Sequence, residues 1–271
     1  MAGVEHEDGT SARLGARFGP YFALDQLGPR GPLDGGERGA DGWLPVAELA
    51  DPASVAFNKR MVAVRTALAA GRAQPPEAVD PRVAVSVAQL GLCARLVAPA
   101  LALTVAGDGS ITLDPRWIFW RDVLGGPFPL GLDHPLPAGD PATRGRPDRL
   151  AAGFTAGVLT PVVAPIVEAV AAAHPVSRHV LWGNVASAVA GAAKMMGRAE
   201  PALAQPAWRV VDELCEGADG PLRGAGRRVD AIRFRRRSCC LIYRLAQAGA
   251  RAVCEDCVLA AGSPAEVEHR R

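Results

Sequence analysis

Lysine is almost absent from this sequence. Only Lys59 and Lys194 among its 30 basic residues are lysine, the rest are arginine, and 28 acidic residues leave a net charge of +2. A balance this close excludes a dedicated nucleic-acid binder, whose footprint is a strong basic excess. With arginine so general, its frequency alone carries little functional weight. No clean membrane-spanning run is present either. The most apolar stretch, Val83 to Ala106, contains Gln89, Arg95 and Pro99, each costly or awkward at a bilayer centre. It reads as a buried helix pair, and no transmembrane segment is expected. Met1 to Phe18 has acidic residues and no apolar core, so no secretory signal is expected there. Glycine-rich nucleotide fingerprints are missing: Gly35-Gly36-x-x-Gly39 lacks a preceding strand, and Gly224-x-Gly226 lacks the third glycine and the helix. No Ser-His-Asp order or nucleophile elbow supports hydrolysis. No internal repeat is visible.

What is present is material for a core. Of 271 residues, 49% are hydrophobic and 21% charged, which suits one large domain or two small ones and excludes a wholly disordered chain. Residues 1–42 are rich in glycine and charge and read as a flexible N-terminal region, with Gly28 to Gly42 as linker. The folded body is expected from Trp43. Asp51-Pro52 resembles a helix start, with Gly71 as a stop, and Asp80-Pro81 repeats the start signal. Val83, Val87, Leu90, Ala94, Val97 and Leu101 then share one helical face, and Pro99 is expected to break or kink it.

A strand is expected within Ile111 to Trp120 and a long loop over Gly125 to Arg149. Helices follow on three stripes. Val162, Val163, Ile166, Val167 and Val170 form the first; Trp182, Val185, Val189, Ala192 and Met196, capped by Ser177, form the second. Trp208, Val211, Leu214 and Cys215 form the third, starting at Pro206 and ending near Gly217. Val229 to Phe234 is a candidate strand, and 262–271 a frayed tail. The fold class is mainly α (α+β), with a helical body over 43–228 and a C-terminal segment over 229–261.

Four of the six cysteines lie within 19 residues: Cys239, Cys240, Cys254 and Cys257. Cys254 and Cys257 form a CxxC pair, which aims two thiolates at one centre. Adjacent cysteines on a regular strand point to opposite faces, so Cys239 and Cys240 require irregular backbone to serve the same centre. Three chemistries fit. A zinc site made of four cysteines wants pairs spaced by two to four residues, which the adjacent pair meets poorly. A two-iron, two-sulfide cluster spreads four thiolates over a wider object. A CxxC redox pair lacks the βαβ context of a thioredoxin-like site. Cys93 and Cys215, on apolar helical faces, read as packing residues. Trp182 reads as core before a stacking platform for a ligand, and Asn184 as a bridge to backbone groups before a substrate contact. His134, His174 and His179 share no ligand spacing with any cysteine.

The Cys239-Cys240…Cys254-x-x-Cys257 pattern resembles the FhuF ferric-siderophore reductases. Arg236-Arg237-Ser238-Cys239-Cys240-Leu241-Ile242-Tyr243-Arg244 is similar to the approach to that motif in actinobacterial members. Leu181-Trp182-Gly183-Asn184-Val185-Ala186-Ser187 is similar to the family's Trp-Gly-Asn segment, and Arg95-Leu96-x-x-Pro99 to its central helix. The 13 residues between Cys240 and Cys254 exceed the spacing of the best-known member.

The resemblance implies a 2Fe-2S cluster on the four cysteines, acting as a one-electron relay that reduces siderophore-held Fe(III) to Fe(II) in the cytoplasm. The chemistry is reasonable on its own terms. Hard oxygen donors hold Fe(III) far more tightly than Fe(II), and each decade of preference lowers the one-electron potential by ~59 mV. Ten decades amount to ~0.6 V, comparable to much of the iron-sulfur range. Arg233, Arg235, Arg236, Arg237 and Arg244 flank the ligands. They would offset the cluster's negative charge, and Arg235, Arg236, Arg237 and Arg244 are candidate contacts for an anionic chelate. With no nucleotide site, the electron donor is expected to be a separate protein such as a ferredoxin or flavoprotein. A zinc-stapled binding protein and an iron-sulfur sensor without turnover are the rival classes.

Overall fold

The computed structural model describes residues 14–27, 42–217, 219–245 and 253–259. The Gly28–Gly42 linker reading, all but Gly42, and the frayed-tail reading fall outside them. The molecule is mainly α, with a four-stranded sheet and a two-stranded hairpin. The helices are α1 (Val55–Ala70), α2 (Pro81–Ala106), α3 (Pro147–Phe154), α4 (Ala164–Ala173), α5 (Arg178–Ala199) and α6 (Pro201–Glu216). The strands are β1 (Asp25–Gln26), β2 (Leu44–Pro45), β3 (Ile118–Trp120), β4 (Leu130–Leu132), β5 (Gly226–Arg228) and β6 (Phe234–Arg236). In the larger sheet the order is β1-β4-β3-β2, parallel between β1 and β4 and antiparallel elsewhere.

Helix α2 is the axis of the core. Asp80 caps it by accepting from the Arg82 N–H. Its 26 residues run through Pro99 without a break, so of the two outcomes expected at this proline a break is excluded. The proline costs an internal hydrogen bond, about 3 kcal/mol, but the helix is buried almost all round here, from Arg95 to Ala102. Burial at about 1.5–3 kcal/mol per large apolar side chain outweighs that cost. The buried surface is also wider than the single stripe expected. It includes Val85, Ala88, Leu92 and Leu96, while Val87, Leu90 and Ala94 are half-buried. The stretch is therefore one central helix rather than a pair.

Part of the expected flexible N-terminus is structured. Leu14, Phe18, Phe22 and Leu24 are buried in the main core. Arg95 explains why. Its buried guanidinium donates to the carbonyls of Phe128 (2.8 Å), Tyr21 (2.9 Å) and Ala23, stapling residues 21–23 to the sheet side of α2. Burial lowers its pKa to about 10, so the side chain stays cationic at neutral pH.

Residues 147–173 form one continuous helical run, widened to π geometry over Thr155–Val163. In this ladder each N–H reaches the carbonyl five residues back, as Ala164 N does to Leu159 O, so Pro161 leaves the Ala156 carbonyl without that donor. The neighbouring Gly157 carbonyl accepts from Leu113 N at 2.8 Å. A Cβ on Gly157 would sit 2.1 Å from the Ile111 carbonyl oxygen, so only glycine lets residues 111–113 lie against the helix. The expected Gly125–Arg149 loop in fact contains β4 and the start of α3. Two helical runs, Pro81–Ala106 and Pro147–Ala173, have the length and apolarity to cross a membrane. Their most apolar windows are 78% and 56% buried within the protein, as core helices are.

Three boundaries differ from the sequence reading. Helix α1 is capped by Ser54, which accepts from Phe57 N, and not by Asp51. Helix α6 begins at Pro201, with Pro206 inside it. Val229–Phe234 is mostly a turn between β5 and β6. Asp230 Oδ1 accepts from the N–H groups of Ile232 and Arg233 (3.0 and 2.8 Å), a side-chain bond that competes with strand pairing.

Candidate metal centre

The cysteine segment rests on α5. Trp182, Gly183, Asn184 and Ser187 lie close together on this helix, and the last three meet the segment directly. A Cβ on Gly183 would lie 1.9 Å from Ser238 Oγ, so glycine forms the socket into which Ser238 fits. Asn184 Oδ1 accepts from Arg236 Nη1 at 2.7 Å. The Ser187 hydroxyl donates to the Asp256 carboxylate. Lys194, further along the same helix, pairs with Glu255. Trp182 is half-buried against the core, as its packing reading anticipates.

After β6 the backbone leaves strand geometry. Arg236 N donates to the Asp256 carbonyl (3.1 Å), which brings the CxxC turn beside the strand's end. Leu241 adopts φ +69, a left-handed conformation uncommon for a branched residue. This turn meets the requirement for irregular backbone at two adjacent cysteines. Residues 242–245 are then moored elsewhere. The Leu245 carbonyl accepts from Arg72 Nε (2.9 Å), its side chain packs with Ala69, Val79 and Val83, and Arg244 pairs with Asp80 (2.7 Å).

The four thiols converge as two pairs. Cys240 Sγ and Cys254 Sγ are 3.6 Å apart, and Cys239 and Cys257 are near enough for Cys257 to act on the Cys239 thiol. Backbone N–H groups point at the outer sulfurs, Leu241 N at Cys239 and Leu259 N at Cys257, both 3.3 Å. Arg236 Nη2 donates to Cys254 Sγ at 3.0 Å. The hydrogen bond with Cys254, followed by the charge of Arg236, holds the Cys240 thiol down to about 5 against the cost of burial. Cys254 is pushed up, first by that same bond and then by burial. Burial raises Cys239. The site thus favours thiolate at one member of the pair even without a bound group.

This donor set fits a dinuclear group better than a single ion. It offers four sulfurs, two N–H···S bonds and a guanidinium within reach of one sulfur. Among the described residues no three His, Cys, Asp or Glu side chains gather around one point for a single metal. Fold and site together define a mainly α protein with a C-terminal cysteine segment suited to a metal-sulfur centre. Residues 236–259 match the family model of the FhuF 2Fe-2S C-terminal domain. The chain is FhuF-like through this segment, and its cofactor is a 2Fe-2S cluster. No curated protein matches the chain.

The flanking arginines separate by position. Arg236 is 1% exposed and faces Cys254 and Asn184, out of reach of a chelate arriving from solvent. Arg244 is exposed but engaged with Asp80, Arg235 is half-buried, and Arg237 and Arg233 are exposed, with Arg233 paired to Asp230. Cys93 and Cys215 are buried, and burial pushes both to about 12, as inert packing thiols. His134 stacks on Trp117 and bonds Asp133, and His174 contacts Phe57. Sequence reasoning missed Ser86, Gln89, Ser187 and Asp256. The available signal was a polar stripe, Ser86, Gln89 and Cys93, at helical spacing inside an otherwise apolar helix.

Proposed function

We propose that this protein is a cytoplasmic ferric-siderophore reductase in which Cys239, Cys240, Cys254 and Cys257 hold the 2Fe-2S cluster. The observation that carries the reading is the convergence of these four thiols inside the segment matching the FhuF 2Fe-2S domain. When bound, the cluster supplies one-electron chemistry. One electron from an external donor protein, a ferredoxin or flavoprotein, reduces one chelated Fe(III) to Fe(II), which the hard oxygen donors then hold weakly. The residues of the chain position the exchange. Cys239 and Cys254 are partly exposed while Cys240 and Cys257 are buried, so one side of the site faces solvent, where a bulky chelate has access. Arg235 and Arg237, which are half-buried and exposed and adjoin the ligands in sequence, suit an anionic chelate or an acidic donor surface. Arg244 is exposed, with its guanidinium shared with Asp80.

Anaerobically purified protein is expected to be brown, to bleach with dithionite, and to carry about two irons and two sulfides per chain. Reduced protein mixed with a ferric hydroxamate or catecholate is expected to yield Fe(II), read with a ferrous trap. Cys254→Ala abolishes both colour and turnover. A colourless zinc protein supports the binding-protein class instead, and a coloured protein without ferrous product supports the sensor.

A further inference from the structure

Arg236 is a buried cation with no hydrogen-bonded carboxylate partner among the described residues. Its side chain donates to Asn184 Oδ1 and Cys254 Sγ, its Nε is unpartnered, and the Asp256 carboxylate nearby is taken up by Ser187. Burying a guanidinium is expensive unless an opposite charge lies near it, and the groups that can supply one here are the Cys240–Cys254 pair and the Asp256 carboxylate. The natural counter-charge is the anionic sulfur environment of a loaded site.

Asn184 is fixed in turn. Its Nδ2 faces only acceptors, Ser86 O (3.0 Å), Ser86 Oγ (3.0 Å) and Gln89 Oε1 (2.9 Å). The amide therefore cannot flip without opposing like groups, and Oδ1 is committed to Arg236. Gln89 is held by Cys93 Sγ and the Leu181 carbonyl. An ordered polar chain thus runs from Cys254 through Arg236 and Asn184 into the middle of α2, and all of its members except Cys254 are buried.

We infer that Arg236, clamped by Asn184, is the positioning residue that sets the cluster's reduction potential. This rests on the iron-sulfur reading of the site and deepens it. The reduced cluster carries one more negative charge than the oxidised one. A guanidinium held at 3.0 Å from a ligand sulfur favours the reduced state and raises the potential, as hydrogen bonds to cluster sulfurs do. The device places control of the potential on α2 and α5, away from the solvent-facing side where donor and chelate arrive.

The test is an anaerobic redox titration of the full chain with its cluster loaded, followed by visible absorbance, for Arg236→Gln, Arg236→Lys and Asn184→Ala. Arg236→Gln is expected to lower the reduced-to-oxidised ratio at fixed ambient potential about tenfold, equivalent to a midpoint lower by about 59 mV for one electron. Asn184→Ala, which does not touch Cys254, shifts the midpoint in the same direction by less, and Arg236→Lys retains part of the wild-type value. Loaded Asn184→Ala and Arg236→Lys with the wild-type midpoint overturn the inference. If none of the three variants holds a cluster, Arg236 is a structural staple and the inference fails as well. A shifted midpoint without ferrous product from any ferric chelate leaves the inference standing and sinks the reductase reading alone.

Discussion

At the scale of single residues, the cysteine site depends on small side chains as much as on its sulfurs. Gly183 is glycine because Ser238 occupies the volume its Cβ would take. Gly183→Ala is expected to destabilise the protein by about 1–3 kcal/mol through overpacking. It should also weaken cluster retention, because Ser238 directly precedes Cys239. The offending atom is largely Ser238 Oγ, which is buried without a hydrogen-bond partner. Ser238→Ala in the same chain should therefore restore most of the loss. Thermal melts of the two single variants and the double variant measure that coupling. Additive effects would show that Gly183 is needed for another reason. Asn184 illustrates how far a residue's meaning depends on its partners. In the sequence it is one polar residue beside an apolar stripe. In the fold it joins α2, α5 and the cysteine segment through four hydrogen bonds.

At the scale of elements, proline and glycine do more than start and stop helices. Pro99, Pro161 and Pro206 all lie inside helical runs. Gly157 does two things at once: it clears space for residues 111–113, and its carbonyl accepts from Leu113 N. Gly157→Ala would press a methyl group onto the Ile111 carbonyl. The clash is with backbone rather than with a rotatable side chain, so the expected loss is about 2 kcal/mol or more, visible as a lower Tm. An unchanged melt would mean that residues 111–113 can move off the helix freely. The hairpin β5–β6 is built by a similarly local device, since Asp230 folds the turn with its own carboxylate. An alternation pattern over Val229–Phe234 does not reveal this, because β-branched residues and an Asx turn coexist in the same six positions.

At the scale of the whole molecule, the four clustered cysteines lie outside the main hydrophobic core, which Phe234 of β6 joins. The main core contains Cys93 and Cys215 but none of Cys239, Cys240, Cys254 or Cys257. Phe234 anchors the start of the segment in that core and β6 pairs with β5, polar contacts to α5 hold the cysteine turns, and Leu245 packs against α1 and α2. Cys254→Ala, or removal of the cluster by a chelator under reducing conditions, should therefore leave far-UV circular dichroism close to that of the intact protein. Residues 253–259 should meanwhile become more susceptible to limited proteolysis. Collapse of the helical signal on cluster loss would show instead that the cluster nucleates the fold, as structural metals do in small domains.

Much of this was legible in the chain itself. Helix caps at Asp80 and Ser177, the stripes of α4 and α5, and the ligand inventory all rest on local periodicity and residue chemistry, which a linear sequence carries in full. Four thiols at short spacing left zinc, iron-sulfur and dithiol chemistry open, and the likeness of the Cys-Cys…Cys-x-x-Cys segment to a 2Fe-2S domain selected among them. Tertiary structure alone decided which arginine reaches a sulfur. Arg235, Arg236 and Arg237 are chemically identical neighbours, and only the register of β6 against β5 and α5 turns one of them inward. It also decided that residues 14–27 belong to the core, since their anchor, Arg95, lies more than 70 positions away. Such pairings are set by long-range packing, where burial and the need to satisfy every buried polar group select one arrangement that no local pattern encodes.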